Sequence, residues 1–244
     1  MLKVELHSHT SDDPEDPIRH TARQLIDRAA ALGYGGLAIT LHNRYTGDPA
    51  LAEYARALGL TLLPGIERTI TGRDVLLVNF PAEAAEVASF DDLRALKRRF
   101  PSGLVVAPHP WFPMGHSLGS ALMDCHADLW DAVEINAFHV RGIDFNRPAR
   151  RWAQARGVPL VGNCDVHQLD QLGTTYSLVD ALRGAGPDQI CRAIREGRVE
   201  VRSQTLSYGR AAGIVGRAVF SNLKRLAGFD RASRDEEPAG RRSS

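Results

Sequence analysis

The sequence predicts an α/β protein built on a largely parallel sheet, open or closed into a barrel. Three observations predict it. Short, near-continuous runs of Val, Ile, Leu and Ala recur along the chain, which is how strands buried on both faces read. Helical stretches lie between most of these runs. Several of those stretches stop at a glycine, the residue that most readily takes the left-handed conformation ending a helix.

In chain order, strands are expected at 3–8 (KVELHS), 36–41 (GLAITL), 60–66 (LTLLPGI), 74–80 (DVLLVNF), 103–107 (GLVVA), 132–137 (AVEINA) and 158–163 (VPLVGN). Helices are expected at 21–32, 49–58, 91–99 and 147–156, with Gly33, Gly59 and Gly157 just past three of their ends. Beyond residue 170 the pattern changes. "TTYSLVD" reads as one more strand, "DQICRAIREG" as a helix closed by Gly197, and "VEVRSQ" as a further short strand. Residues 210–227 read as an amphipathic helix with Arg210, Arg217 and Lys224 seven apart on one stripe. Residues 230–244 contain no large apolar residue and are expected to be a disordered tail, which leaves 1–229 as one domain.

Composition narrows the class. Hydrophobic residues make up 43% and charged residues 24%, as in an ordinary globular enzyme. A formal charge of +1 argues against nucleic-acid binding by bulk charge. Cys125, Cys164 and Cys191 form no CxxC pair, so reduced thiols and a cytoplasmic setting are expected. The chain opens directly on a strand without a secretory pattern, and no apolar run is long enough to span a bilayer.

The histidines carry the chemistry. Of nine, His7 and His9 end the first strand, His42 the second, and His109 follows "LVVAP". His139 lies three residues after "EIN", and His167 follows "LVGNCDV". Glu67 and Asp165 end two further strands. Carboxyl ends of parallel strands share one face, where α/β sites are built. Imidazoles and carboxylates converging there suit zinc, manganese or iron. His7-x-His9 and Asp165-x-His167 each place two side chains on one side of a strand. A catalytic zinc usually takes three protein ligands, so this set suits two or three ions sharing a carboxylate. His20, His116 and His126 lack such placement and are read as incidental.

In the order ELHSHT, GLAITLHN, PGIE, APHP, EINAF and GNCDVH, covering residues 4 to about 180, the chain resembles the PHP (polymerase and histidinol phosphatase) family. The resemblance implies a distorted (β/α)7 barrel with its metal site at the carboxyl ends of the strands, and phosphoester hydrolysis by metal-activated hydroxide. It implies that His7, His9, Glu67 and Asp165 hold one ion, and that Glu67 bridges to a second held by His109 and His139. Asp16 (or Asp13), His42 and His167 would hold a third. The expected substrate is a small phosphomonoester or a nucleotide or nucleic-acid phosphoester, with nucleic acid entering as substrate only. Arg44, Arg68 and Arg141 are candidates for the phosphate, and Glu134 and Asn136 for support of the ligands. Two departures bear on the third ion. Leu41 stands where the family has an aspartate before the histidine, and the acidic ligand after His9 lacks the usual Ser-Asp-Gly context. A weaker third site is therefore expected, unless Leu41 points away into the sheet.

Rival motifs are weaker. "GHSLG" (115–119) matches a serine-nucleophile elbow, but Pro108, Pro110 and Pro113 separate it from its strand, so a glycine-rich loop is the better reading. "GYGGLA" precedes a strand, whereas a dinucleotide fingerprint follows one. The basic stripe of 210–227 is read as the solvated face of a docked helix. Amidohydrolase-type C–N cleavage would call for a bridging lysine, and none falls at a strand end. A metal-binding relic without turnover is the other alternative, with Leu41 in its favour.

Overall fold

The computed structural model describes residues 1–113, 115–214 and 216, in two compact units that divide between Leu206 and Ser207. The first unit carries all ten strands and six helices described here. They are β1 (Leu2–Glu5), α1 (Ala22–Ala31), β2 (Gly36–Ala38), α2 (Pro49–Ala57), β3 (Thr61–Leu63), β4 (Gly65–Ile70) and β5 (Arg73–Val78). Next come α3 (Phe90–Arg99), β6 (Leu104–Ala107), α4 (Gly119–Cys125), β7 (Ala132–Asn136), α5 (Arg147–Arg156) and β8 (Leu160–Asn163). The last are β9 (Thr175–Val179), α6 (Pro187–Arg195) and β10 (Val199–Ser203). In the second unit, residues 208–214 are helical. The remainder of the helix expected at 210–227, apart from Gly216, and the tail expected at 230–244 lie outside the described residues.

Local chemistry sets the helix ends. Thr21 and Gln24 form a reciprocal capping box on α1, and Ser89 and Asp92 do the same on α3. Asp48 caps α2 ahead of Pro49. Gly157 ends α5 at φ 66°, as expected of a left-handed stop.

The strands form two mixed five-stranded sheets, ordered β10-β9-β1-β2-β3 and β4-β5-β6-β7-β8. The α/β class holds, but continuous pairing does not close the sheets into the expected (β/α)7 barrel. Parallel pairing is confined to β1-β2-β3 and β6-β7-β8. β4-β5-β6, β1-β9 and β9-β10 are antiparallel. The strand expected at 60–66 is in fact two, because Pro64 has no N–H to continue a ladder. β4 then turns back into β5 through Thr71 and Gly72, both at positive φ, the conformation of a two-residue hairpin turn.

Single bridges join the sheets beyond the strand ends, Ser8 with Val166 and His42 with Glu67. The cluster between the sheets combines Leu2, Val4 and Leu6 with Leu76, Val78, Leu104, Val106 and Val161. The buried stripe Ile190, Cys191, Ala193 and Ile194 of α6 packs into the same cluster. Two outer clusters seat α1 and α2 on one sheet and α3, α4 and α5 on the other. No helix among the described residues is long and apolar enough to cross a membrane.

Candidate metal centre

The chain leaves β1 still extended. Val166 N donates to the His7 carbonyl and His9 N to the Val166 carbonyl, so the HxH segment lies against the Asp165–His167 segment. Below it, the buried Glu5 carboxylate accepts N–H groups from His7 and Cys164, clamping both segments. His20, read as incidental, donates from Nε2 to the His9 carbonyl at 2.8 Å. Asn43, His109 and Asp165 all take positive φ without being glycine. Such backbone strain gathers where the fold holds side chains in place for a purpose.

Glu67, 1% exposed, stands at the middle. Its Oε2 lies 3.1 Å from His7 Nε2 and 3.3 Å from Nε2 of both His9 and His42. Its Oε1 lies 3.3 Å from His109 Nε2. Asp165 Oδ1 lies 3.3 and 3.4 Å from Nε2 of His7 and His9. Three groups therefore have ligand atoms close enough to share an ion: His7, His9 and Asp165; His7, Glu67 and His109; His9, Asp13 and His42.

The far side of each imidazole is also held. His7 Nδ1 faces Glu134 Oε2 at 2.8 Å. Glu134 is further fixed by Asn136, Asn163 and the His109 N–H. Asp13 Oδ2 faces Nδ1 of His9 at 2.9 Å and of His42 at 3.0 Å. A carboxylate on one ring nitrogen fixes the tautomer and turns the other nitrogen's lone pair inward, the usual outer support of a metal-bound histidine.

Cations fit what remains. His9 Nε2, Glu67 Oε1, Asp165 Oδ1 and His109 Nδ1 are buried without a hydrogen-bond partner. Leaving such atoms unmatched is costly, and a divalent ion matches them. Burial disfavours charge on His7 and His9, yet Asp165, Glu67, Glu134 and Asp13 hold both imidazoles well above their ordinary range. His109 is raised to about 9, with Glu67 outweighing burial. Burial likewise opposes charge on Glu67 and Asp165, but the histidines keep both carboxyls well below their ordinary range. Burial, and to a lesser degree the charge of Glu134, push Glu5 up to about 8.

Other expected residues stand further out. Asp16 Oδ2 pairs with His167 Nε2 at 2.9 Å, while Asp13 is the acid at His9 and His42. His139 joins none of the three groups, although its Nδ1 is buried and unpartnered. Arg68 donates to the Val87 carbonyl and to Asn43, and the exposed Arg44 to the Asp12 carbonyl. Arg141 is exposed on the turn after His139. Ser117 of the GHSLG stretch donates to the His109 carbonyl, a structural tie. Leu41 is 1% exposed and packs with Leu37, Ile39 and residues of α1, so it points away from the centre. Glu5 and Asp74 are buried carboxylates beside the centre that the strand-end pattern did not signal, since Glu5 lies inside the strand expected at 3–8 and Asp74 at the start of β5.

The family model described as PHP-associated matches residues 144–199. The uncharacterised protein MJ1587 of Methanocaldococcus jannaschii is 27% identical over 157 residues, 58% of this chain and 86% of that protein. The fold is similar to a two-domain protein from Bacteroides vulgatus containing a predicted PHP-like metal-dependent phosphoesterase. That match has TM-score 0.64 and 16% identity over 83% of this chain, and spans only 65% of that protein's length. It is also similar to the lesion-specific endonuclease EndoQ of Pyrococcus furiosus, with TM-score 0.55 and 15% identity over 82% of this chain and 57% of that one. The histidine–carboxylate cluster at the strand ends thus lies in a fold similar to that of a protein containing a predicted PHP-like metal-dependent phosphoesterase, in a chain that a PHP-associated family model matches in part.

Proposed function

We propose that this protein is a metal-dependent phosphoester hydrolase. Its substrate would be a small phosphomonoester, or a nucleotide or nucleic-acid phosphoester. The observation that carries the reading is the set of buried, unpartnered nitrogen and oxygen atoms gathered around Glu67. His7, His9, Asp165, Glu67, His109 and His42 would hold two or three ions of zinc, manganese or iron, with Asp16, His139 and His167 at the margin. Held there, divalent ions would supply Lewis-acid charge to the phosphate oxygens and lower the pKa of an attacking water. The chain's own part is positional. Glu134 and Asp13 orient the rings, and Glu67 presents one oxygen to each side. Arg44 and Arg141, exposed at strand-end loops, are the proposed phosphate contacts, and Arg68 a strut that holds Asn43. The C–N alternative lacks its bridge, since the described lysines, Lys3 and Lys97, lie at Tyr34 and Asp131.

The test is elemental analysis followed by phosphomonoester and phosphodiester panels with added manganese or zinc. At least two transition-metal equivalents and turnover of one ester class are expected. Glu67→Gln should retain the fold but lose one ion and nearly all turnover. Absence of metal uptake, or a fully active Glu67→Gln variant, would overturn the reading.

A further inference from the structure

The GHSLG stretch has no part in the metal cluster, yet the fold fastens it beside His109. Arg73 Nη1 donates to the carbonyls of Gly115 and Ser117 at 2.7 and 2.9 Å. Ser117 Oγ donates to the His109 carbonyl at 2.9 Å, and Asp74 N to the His116 carbonyl at 3.0 Å. His116 is thus held at the start of β5 with its side chain 58% exposed and Nδ1 3.4 Å from Asp74 Oδ1.

Asp74 is 5% exposed and belongs to the same face as the centre. The hairpin register pairs Thr69 with Asp74 and Glu67 with Leu76, so side-chain alternation puts Glu67, Thr69 and Asp74 on one side. Thr69 donates its hydroxyl to Asp74 Oδ1 at 3.1 Å and accepts from Asn43 Nδ2 at 3.1 Å. Asn43 directly follows His42. A chain of bonds therefore aims the Asp74 carboxylate from the metal cluster's own segment toward His116. Burial, and then the charge of Glu67, raise the Asp74 carboxyl above its ordinary range, against His109 and His116. The same charges reach both the cluster and this pair.

Resting on the phosphoester reading above, we infer that His116 is the acid that protonates the leaving oxygen, with Asp74 as its positioning residue. With Nδ1 within ion-pair distance of a carboxylate and the side chain 58% exposed, the imidazole has Nε2 to carry the proton it would deliver. In the step, a bond forms between phosphorus and the oxygen of water, and the bond from phosphorus to the ester oxygen breaks. The leaving oxygen takes the Nε2 proton and departs as the alcohol. The proton shed by the attacking water returns through solvent to His116, so the net reaction is monoester plus water to alcohol plus phosphate, or diester plus water to alcohol plus phosphomonoester.

The test compares an ester with a good leaving group to one with a poor leaving group. The pair is 4-nitrophenyl phosphate with glycerol 2-phosphate, or bis(4-nitrophenyl) phosphate with a dinucleotide, according to the class that the wild-type protein turns over. An aryl oxide leaves with little help, whereas an alkoxide needs a proton. His116→Ala should lower the poor-to-good rate ratio about 100-fold, the scale of general acid catalysis, with metal content unchanged. Asp74→Asn should lower the same ratio by a smaller factor. An equal loss on both esters would overturn the acid assignment alone. A metal-loaded wild-type protein that hydrolyses no ester of either class would overturn the phosphoester reading, and this inference with it.

Discussion

Leu41 shows how a single position decides between two readings. An aspartate there would stand next to His42, which invites a metal role. Neighbours on an extended strand face opposite ways, however, and Leu41 lies in the apolar cluster under α1 and α2. The packing thus supports the alternative in which Leu41 points away into the sheet, and the missing acid then gives no reason for a weaker third site. Leu41→Asp should leave metal affinity unchanged or lower and should destabilise the fold by roughly 2–5 kcal/mol, because it buries an unpaired carboxyl. Chemical denaturation beside metal titration checks this. Tighter binding at full stability would reverse the conclusion. Asp13 teaches the complementary lesson. Four acids crowd the ten residues after His9, and composition alone cannot rank them. Only the folded loop turns Asp13 inward and leaves Asp16 to His167.

Among the elements, legibility followed pattern strength. Helices at 22–31, 49–57, 90–99 and 147–156 match their expected spans within one residue at each end, because caps and glycine stops are local chemistry. Strand partners were not legible. A run buried on both faces reads the same whether its neighbour runs parallel or antiparallel. The β4-β5 hairpin was also hidden, since the expected strand ran across Pro64 and missed most of β4. One glycine marks where the sheets approach. A Cβ on Gly162 of β8 would meet the Tyr176 carbonyl oxygen at 2.9 Å and Val201 Cγ1 at 2.9 Å. Ser177 Oγ bonds both backbone groups of Gly162 across the same gap. Gly162→Ala should force β8 off β9 and cost about 1–3 kcal/mol, the usual range for overpacking. Equilibrium unfolding measures it, and an unchanged midpoint would show that the gap is slack.

At the level of the whole molecule, the centre couples metal, protons and stability. A histidine whose pKa rises on folding adds stability that is complete below its unfolded value and is lost as pH climbs through its folded one. For His109 that window runs from 6.5 to about 9, and His7, His9 and His42 shift the same way. Glu5, raised from 4.5 to about 8, adds a loss of the same sign over its own window. Glu67, Asp13 and Asp165 are lowered, so their contribution is lost toward acid. Metal-free protein should therefore melt highest in mildly acidic solution and progressively lower from about pH 6.5 to pH 9. Ions must displace the same protons, so loading near neutrality should release protons, and its affinity should rise with pH. Melting curves and calorimetry in buffers of different ionisation enthalpy read both. A metal-free melting temperature that rises across that range would contradict the argument.

The single bridges between the sheets acquire a meaning beyond topology. His7 and His9 extend one sheet, whereas Glu67, His109 and Asp165 belong to the other. Any ion gripped by His9 and Asp165 together would be a rivet through two plates that single bridges, not continuous ladders, fasten at that edge. At the opposite edge, α6 wedges the plates with hydrocarbon, which no chelator removes. Stripping the ions would then act as a drawstring let out at one end. The mouth slackens, the floor holds, and the ligands part along the seam from which they were assembled.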